Sequence, residues 1–249
     1  MLTDERHNFI RTELALKGRV FAGDLAERFG VSEDTARRDL RELAKDGLCK
    51  RVYGGALAPS AGSLGERNSH LTNEKFRLAQ MAVKLIRPGQ TLFIDSGSTN
   101  IAIAKAIANT MELTVVTNSL GVAVALADHK AIKLVVLGGA YHHDLGMCSG
   151  AETLSAISQI NADLLFLGSC GVDAVRGVTA FDSVEAEIKR AMVKNSVDIV
   201  VAATAEKLST AAPYHVAGPK SIRHLVVAQP VAALVLSKFK RQGATIHLA

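Results

Sequence analysis

From Thr91 onward the chain sets continuous runs of Val, Leu and Ile against stretches of helical period, and this alternation constrains the fold more than any other feature. The runs are Thr91-Leu92-Phe93-Ile94, Leu113-Thr114-Val115-Val116 and Lys133-Leu134-Val135-Val136-Leu137, with further ones near 164–168, 197–202, 224–228 and 244–248. Strands that are apolar at nearly every position, rather than at every second one, are buried on both faces. Helical stretches intervene at 74–86, 100–108 and 122–127, and again between the later runs. The pattern predicts an α/β domain over 74–249 with a mostly parallel sheet covered on both sides.

Residues 1–57 have a different character. Helices are predicted over 3–17, with Phe9, Ile10 and Leu14 on one stripe and Gly18 as the stop, and over 23–29, with Leu25, Ala26 and Phe29 facing inward. A third helix opens at Ser32, an N-cap whose hydroxyl can accept from the backbone N–H of Asp34 or Thr35. Ala36, Leu40, Leu43 and Ala44 share one side of it; Arg38 and Lys45 point almost opposite, with Arg41 close to them and Arg37 on a flank. Three short helices with Gly30 in the turn before the third match a helix-turn-helix. Laid in a DNA major groove, the third would bring Thr35, Arg38 and Arg41 to base edges and Ser32 and Arg37 to phosphates. A merely solvated basic face is the competing reading of that helix. The strand predicted over 48–53 ends at Gly54-Gly55; with a partner it makes a wing on which Lys50 and Arg51 suit adjacent phosphates, and alone it is an interdomain strand. Residues 58–73, lacking a period and rich in Ala, Pro, Ser, Gly and Asn, read as a linker.

Composition narrows the class. At 249 residues and 48% hydrophobic, the chain can build one large or two modest cores. Its net charge of +5 hints at nucleic acid, yet residues 1–58 hold 11 Lys and Arg against 10 Asp and Glu, so a local arginine face must carry that case. Cys49, Cys148 and Cys170 are scattered, odd in number and without a CxxC spacing, which fits reduced thiols and offers no metal framework. No signal-peptide core or 18-residue apolar run is present, so a soluble cytoplasmic protein without a membrane partner is expected.

In open parallel sheets ligands gather beyond the carboxyl ends of the strands. The first run leads into Asp95-Ser96-Gly97-Ser98-Thr99-Asn100, where small residues and a helix start can point backbone N–H groups at an anion. Later runs end in Thr117-Asn118-Ser119, in Gly138-Gly139-Ala140 and in Gly168-Ser169-Cys170-Gly171-Val172-Asp173. Ordinary helix capping explains each turn taken singly; together they describe a polar pocket for a small hydroxylated anion. Lys189 follows Glu185 by four residues, a spacing equally suited to a surface ion pair and to phosphate neutralisation. His142 and His143 lack partners at metal-ligand spacing, and neither a P-loop nor a Gly-x-Ser-x-Gly elbow is present.

Taken in order, these segments resemble the DeoR family of bacterial transcription regulators over nearly the whole chain. The likeness is carried by Thr3-x-Glu5-Arg6, Val31-Ser32-x-x-Thr35-x-Arg37-Arg38-Asp39-Leu40, Arg51-Val52-x-Gly54-Gly55-Ala56 and Glu74-Lys75. In the second domain it rests on Asp95-Ser96-Gly97-Ser98-Thr99, Thr117-Asn118-Ser119, Gly138-Gly139, Gly168-x-x-Gly171-Val172-Asp173 and Glu185-x-x-x-Lys189. The resemblance implies a winged helix-turn-helix joined to a sensor domain related in fold to ribose-5-phosphate isomerase. It further implies a repressor of a sugar-catabolism operon answering to a phosphorylated sugar, with no cofactor and no metal. By this carry-over Asp95, Ser96, Gly97, Ser98, Thr99, Asn118, Gly138, His142, Gly171, Asp173 and Lys189 are ligand-site candidates. Three departures bear on which sugar is bound. His142 stands where the family commonly has a basic residue, often Arg; Cys170 replaces a polar residue; and Ala203-Thr204-Ala205-Glu206-Lys207 replaces Ala-Asp-x-Ser-Lys.

The leading reading is a ligand-responsive repressor acting as a homo-oligomer on double-stranded operator DNA, since one Arg–guanine contact supplies only ~1–3 kcal/mol of discrimination. The rival is a sugar-phosphate isomerase with Asp173 or Glu185 as base and Lys189 steadying an enediolate. A third reading is a DNA-binding protein whose second domain only oligomerises. An isomerase has no use for Arg37-Arg38 on a capped helix, so the N-terminal domain favours the regulator.

Overall fold

A computed structural model describes residues 1–58 and 73–249; the expected linker, apart from its end positions, lies outside the described residues. The N-terminal part runs α1 (Thr3–Lys17), β1 (Arg19–Phe21), α2 (Ala22–Phe29), α3 (Glu33–Lys45), β2 (Lys50–Val52) and β3 (Gly55–Leu57). Ile10 and Leu14 of α1, Leu25 and Ala26 of α2, and Ala36, Leu40 and Leu43 of α3 share one small core. Gly30 makes the turn into α3 with φ of 66°, a left-handed conformation that glycine adopts without steric cost, and Val31 N–H closes it on Ala26 O at 3.0 Å. The expected wing is present, since β2 and β3 pair antiparallel. An unforeseen third strand, β1, pairs with β3 on its other side.

The second part continues with α4 (Asn73–Ala82), β4 (Thr91–Ile94), α5 (Ser98–Ala106), β5 (Leu113–Thr117), α6 (Leu120–Leu126), β6 (Ile132–Val136), β7 (Ala140–His142) and β8 (Met147–Ser149). It then runs through α7 (Ala151–Ser158), β9 (Ala162–Phe166), β10 (Gly171–Asp173), β11 (Gly177–Ala180), α8 (Ser183–Lys194) and β12 (Ser196–Ala203). It closes with β13 (Tyr214–Ala217), β14 (His224–Val227), α9 (Ala233–Arg241) and β15 (Thr245–Leu248). The seven expected runs form one sheet in the order β15-β14-β12-β9-β4-β5-β6, with every neighbouring pair parallel. The helix read over 74–86 is α4 followed by a 3-10 turn over Val83–Leu85.

Alternate residues of each strand enter opposite cores, as the two-residue period requires. Leu92, Ile94, Val115, Leu164 and Phe166 pack beneath Leu78 and Ala82 of α4, Ile101 and Ile103 of α5, and Val122 of α6. Phe93, Val116, Leu165 and Val201 pack on the other face with Ile157 of α7, Ile188 and Met192 of α8, and Phe239 of α9. The chain builds outward from β4 to β6, then returns to place β9 on the other side of β4. The crevice between the ends of β4 and β9 is therefore the sheet's topological switch point, where ligands bind in folds of this kind. An antiparallel trio in the order β10-β11-β13 and the β7–β8 hairpin complete the domain.

Candidate functional site

Two surfaces carry most of the candidate side chains. On the first, Ser32 caps α3 as expected, its Oγ accepting from Thr35 N–H at 3.2 Å and lying 3.0 Å from Thr35 Oγ1. Arg37, Arg38, Arg41 and Lys45 are exposed and Thr35 is half-buried, so the polar side of α3 is open to a groove. Arg37 pairs with Glu33 and, at 3.4 Å, with Asp34 on its own helix. What holds α3 is a buried fork: Arg6 of α1 donates from Nε to Asp39 Oδ2 at 2.6 Å and from Nη2 to Asp39 Oδ1 at 2.9 Å. That bidentate pair fixes the orientation of α3 on its support. His7, Asp39 and Glu42 form a triplet with metal-ligand spacing, but Arg6 occupies both Asp39 oxygens.

The second surface is the crevice at the switch point. Asp95, the residue after β4, is fully buried, and Lys189 of α8 is 1% exposed. The Lys189 ammonium donates to Asp95 Oδ2 and to Gly168 O at 3.1 Å, and lies 3.3 Å from Glu185 Oε1. Burial works against its charge, but the carboxylates of Asp95 and Glu185 outweigh that and hold its proton above the usual lysine range. Asp95 Oδ2 also accepts from Gly168 N–H at 2.9 Å, tying the β4 and β9 loops together. Gly168 is required there: a Cβ would lie 2.4 Å from Ser96 O and 2.8 Å from Asp95 Oδ2. Lys189 is therefore a strut between the two loops, held by two donated hydrogen bonds and the Glu185 ion pair.

Beside this strut opens a cavity of about 350 Å³ whose lining includes Ser96, Gly97, Ser98, Thr99, Asn100, Gly168, Ser169, Cys170, Glu185 and Lys189. Asn100 is held by two carbonyls, Asp95 O at 2.9 Å and Phe166 O at 3.0 Å, so it orients the loop. The first N–H groups of α5 have no intrahelical acceptor, and they start at Ser98 on the cavity wall. Thr204, Glu206 and Lys207 line the same cavity, and Lys207 Nζ donates to Ser169 O at 2.9 Å. Burial and the neighbouring Glu185 push the Cys170 thiol above its usual range, so it is a protonated wall residue rather than a nucleophile.

The other candidates do not line this cavity. Asn118 donates to Cys148 O at 2.8 Å under the β7–β8 hairpin. Gly138 O accepts from Thr153 Oγ1 at 2.5 Å, and His142 Nε2 lies 2.7 Å from Ser149 Oγ. Gly171 starts β10, and Asp173 Oδ1 accepts from Val175 and Arg176 N–H, both at 2.9 Å, closing a turn. Lys50, expected on a DNA phosphate, is exposed on β2. It sits over the Phe181 ring at 5.4 Å and lines the sensor cavity, whereas exposed Arg51 follows it on β2 and, by strand alternation, faces the other way.

The two parts touch through the segment that carries Lys207 and through the β10–β11 turn. Arg19 Nη1 donates to Leu208 O, Tyr53 N–H donates to Ala211 O at 2.7 Å, and the Arg176 guanidinium stacks 3.6 Å from the Tyr53 ring centroid. A second cleft of about 620 Å³ lies between α1, α2 and Ala205–Glu206 of the turn after β12, and none of the ligand-site candidates lines it.

Residues 6–61 match the DeoR-like helix-turn-helix domain and residues 70–229 match the DeoR C-terminal sensor domain. The chain belongs to the DeoR family. It is 38% identical over 199 residues to the glycerol-3-phosphate regulon repressor of Escherichia coli K12, covering 79% of each chain. It is 27% identical over 253 residues to the transcriptional regulator GolR of Listeria innocua, covering 100% of both. It also has a likeness to a solved ribose 5-phosphate isomerase from Methanocaldococcus jannaschii, with a TM-score of 0.38 and 17% identity over 51% of this chain and 50% of that one, too slight to carry an argument. Membership makes this DeoR-family chain a DNA-binding transcriptional regulator rather than an enzyme, which settles the rivalry with the isomerase reading. Among the described residues, no helix is long and apolar enough to cross a membrane.

Proposed function

We propose that the chain is a cytoplasmic repressor of a sugar-related operon, acting as a homo-oligomer, whose hold on DNA answers to a phosphorylated sugar in the switch-point cavity. The supporting observation is the convergence of the α5 N-terminus, the hydroxyls of Ser96, Ser98 and Thr99, and Lys207 on one cavity large enough for such a molecule. The amides and Lys207 suit the phosphate, while Glu185 and Glu206 can accept from sugar hydroxyls. On the DNA side, Arg38, Arg41 and Thr35 read bases, with Ser32, Arg37 and Arg51 on phosphates. Oligomerisation is supported by the small discrimination each arginine supplies, and by exposed apolar residues on α6 and on the β6 edge: Leu120, Val124 and Val136.

The test is a thermal-shift and operator-binding panel of three- to six-carbon sugar phosphates beside their unphosphorylated sugars. A cognate molecule at 100 times its Kd stabilises by ~2.7 kcal/mol and alters operator affinity. Equal effects from the unphosphorylated sugars, or no effect from any compound, would remove the reading. Arg38→Ala is expected to erase the preference for operator over random DNA by roughly tenfold or more while leaving the sensor's melting unchanged. Intact preference would assign base reading to other residues.

A further inference from the structure

We propose that the effector site is built from both domains, with Lys50 of the wing as a direct contact to the effector's anionic group. The inference rests on the phosphorylated-sugar reading above and deepens it. Gly18, Lys50, Leu57 and Ala58 of the N-terminal part stand in the lining of the same cavity as Ser96–Asn100 and Lys207. The cavity is therefore closed on one side by the DNA-binding domain itself.

Charge makes Lys50 necessary rather than incidental. A phosphate monoester carries close to two negative charges near neutral pH. Lys189, the most buried cation of the site, is matched by Asp95 and Glu185 and spends its donors on them and on Gly168. Besides Lys50 and Lys189 the lining holds Lys75 and Lys207; Lys207 spends one donor on Ser169 O, and Glu74 and Glu206 on the same walls balance the two lysines in charge. Without Lys50 the lysines and glutamates of the lining cancel, which leaves the loop amides alone to meet the phosphate's charge. Lys50 brings an exposed cation whose ammonium sits 5.4 Å over the ring of Phe181, itself a lining residue, so the charge is held at the cavity wall. Ligand bound there is held by wing and sensor together, and its occupancy favours the arrangement in which the two are docked.

The experiment measures the affinity of glycerol 3-phosphate and of inorganic phosphate by calorimetry on the full chain, in wild type, Lys50→Gln, Lys50→Arg and Arg51→Gln. Lys50→Gln is expected to weaken the binding probe about tenfold and flatten its salt dependence, Lys50→Arg to restore most of it, and Arg51→Gln to leave it unchanged. Lys50 is exposed, so these variants fold as wild type does, which their melting temperatures check. If wild type binds and Lys50→Gln binds equally well, the two-domain site is overturned while the sugar-phosphate reading stands. If Arg51→Gln weakens binding as much as Lys50→Gln, the effect is general electrostatics, and the contact is overturned. If wild type binds neither probe, nor any other sugar phosphate tried in their place, both fall together.

Discussion

Lys189 shows how one residue's neighbours decide its role. At four residues past Glu185 it reads as a surface pair or as a phosphate ligand, and sequence offers no means of choosing. Its counter-charge comes instead from Asp95, a residue 94 positions away that only the β4–β9 crossing brings within reach. Removing one member of a buried pair strands the other, at a cost of about 3–5 kcal/mol. Lys189→Met is therefore expected to lower unfolding stability by about that amount in urea titrations. Pairing it with Asp95→Asn, which keeps an acceptor for Gly168 N–H, is expected to recover most of the loss. Retained stability with lost effector affinity would make Lys189 a ligand contact after all. The 95–100 turn was legible because its chemistry is local: small residues, hydroxyls and a helix start. Lys207 was visible only as part of a departure from family pattern, and the place of Lys50 in the cavity lining was not legible because the face a three-residue strand offers depends on what docks against it.

At the scale of elements, the seven strands of the parallel sheet were legible because each is buried on both faces and so writes an unbroken apolar run. The strands that escaped notice, β1, β7, β8, β10, β11 and β13, are three or four residues long and antiparallel, too short to show a period. Strand order was likewise unreadable, since it is a property of crossovers rather than of local pattern. One element-level consequence concerns β14 and the edge strand β15. His224 Nδ1 lies 3.1 Å from His247 Nε2, so one ring donates and the other must stay neutral to accept. Burial, then the partner ring and Arg223, hold His224 below the ordinary histidine range despite Asp198, and burial holds His247 below it. Depressed folded values mean that the unfolded chain binds more protons as pH falls below about 6.5. The stabilisation is present above that pH and lost as pH drops through the folded values. Melting temperature is expected to fall between pH 7 and 5, and His247→Gln to flatten that fall by a few degrees. Parallel curves for the two proteins would exclude the pair as the cause.

For the whole molecule, the segment from Thr204 to Ala211 joins the two activities. Its Thr204, Glu206 and Lys207 line the cavity, while its Leu208 and Ala211 carbonyls accept from Arg19 and from the Tyr53 backbone of the wing turn. An effector that draws on Lys207 thus acts on the same short stretch that seats the DNA-binding domain, and no longer route between the sites is needed. Coupling of this kind has a typical size of ~1–3 kcal/mol, a 5- to 150-fold change in operator affinity. Replacing Arg19 by Ala removes the side-chain tie to Leu208 O, and Tyr53→Ala removes the ring under Arg176. Neither residue lies on the base-reading face of α3, so operator affinity without effector is expected to change little. The ratio of operator affinities with and without effector is expected to move toward one in each variant and furthest in the double variant, whichever direction the wild-type response takes. Equilibrium DNA binding at fixed salt, with and without saturating effector, measures that ratio. A double variant with the wild-type ratio would show that the signal travels through the packing of subunits instead of through the Arg19 and Tyr53 side-chain contacts between the two parts.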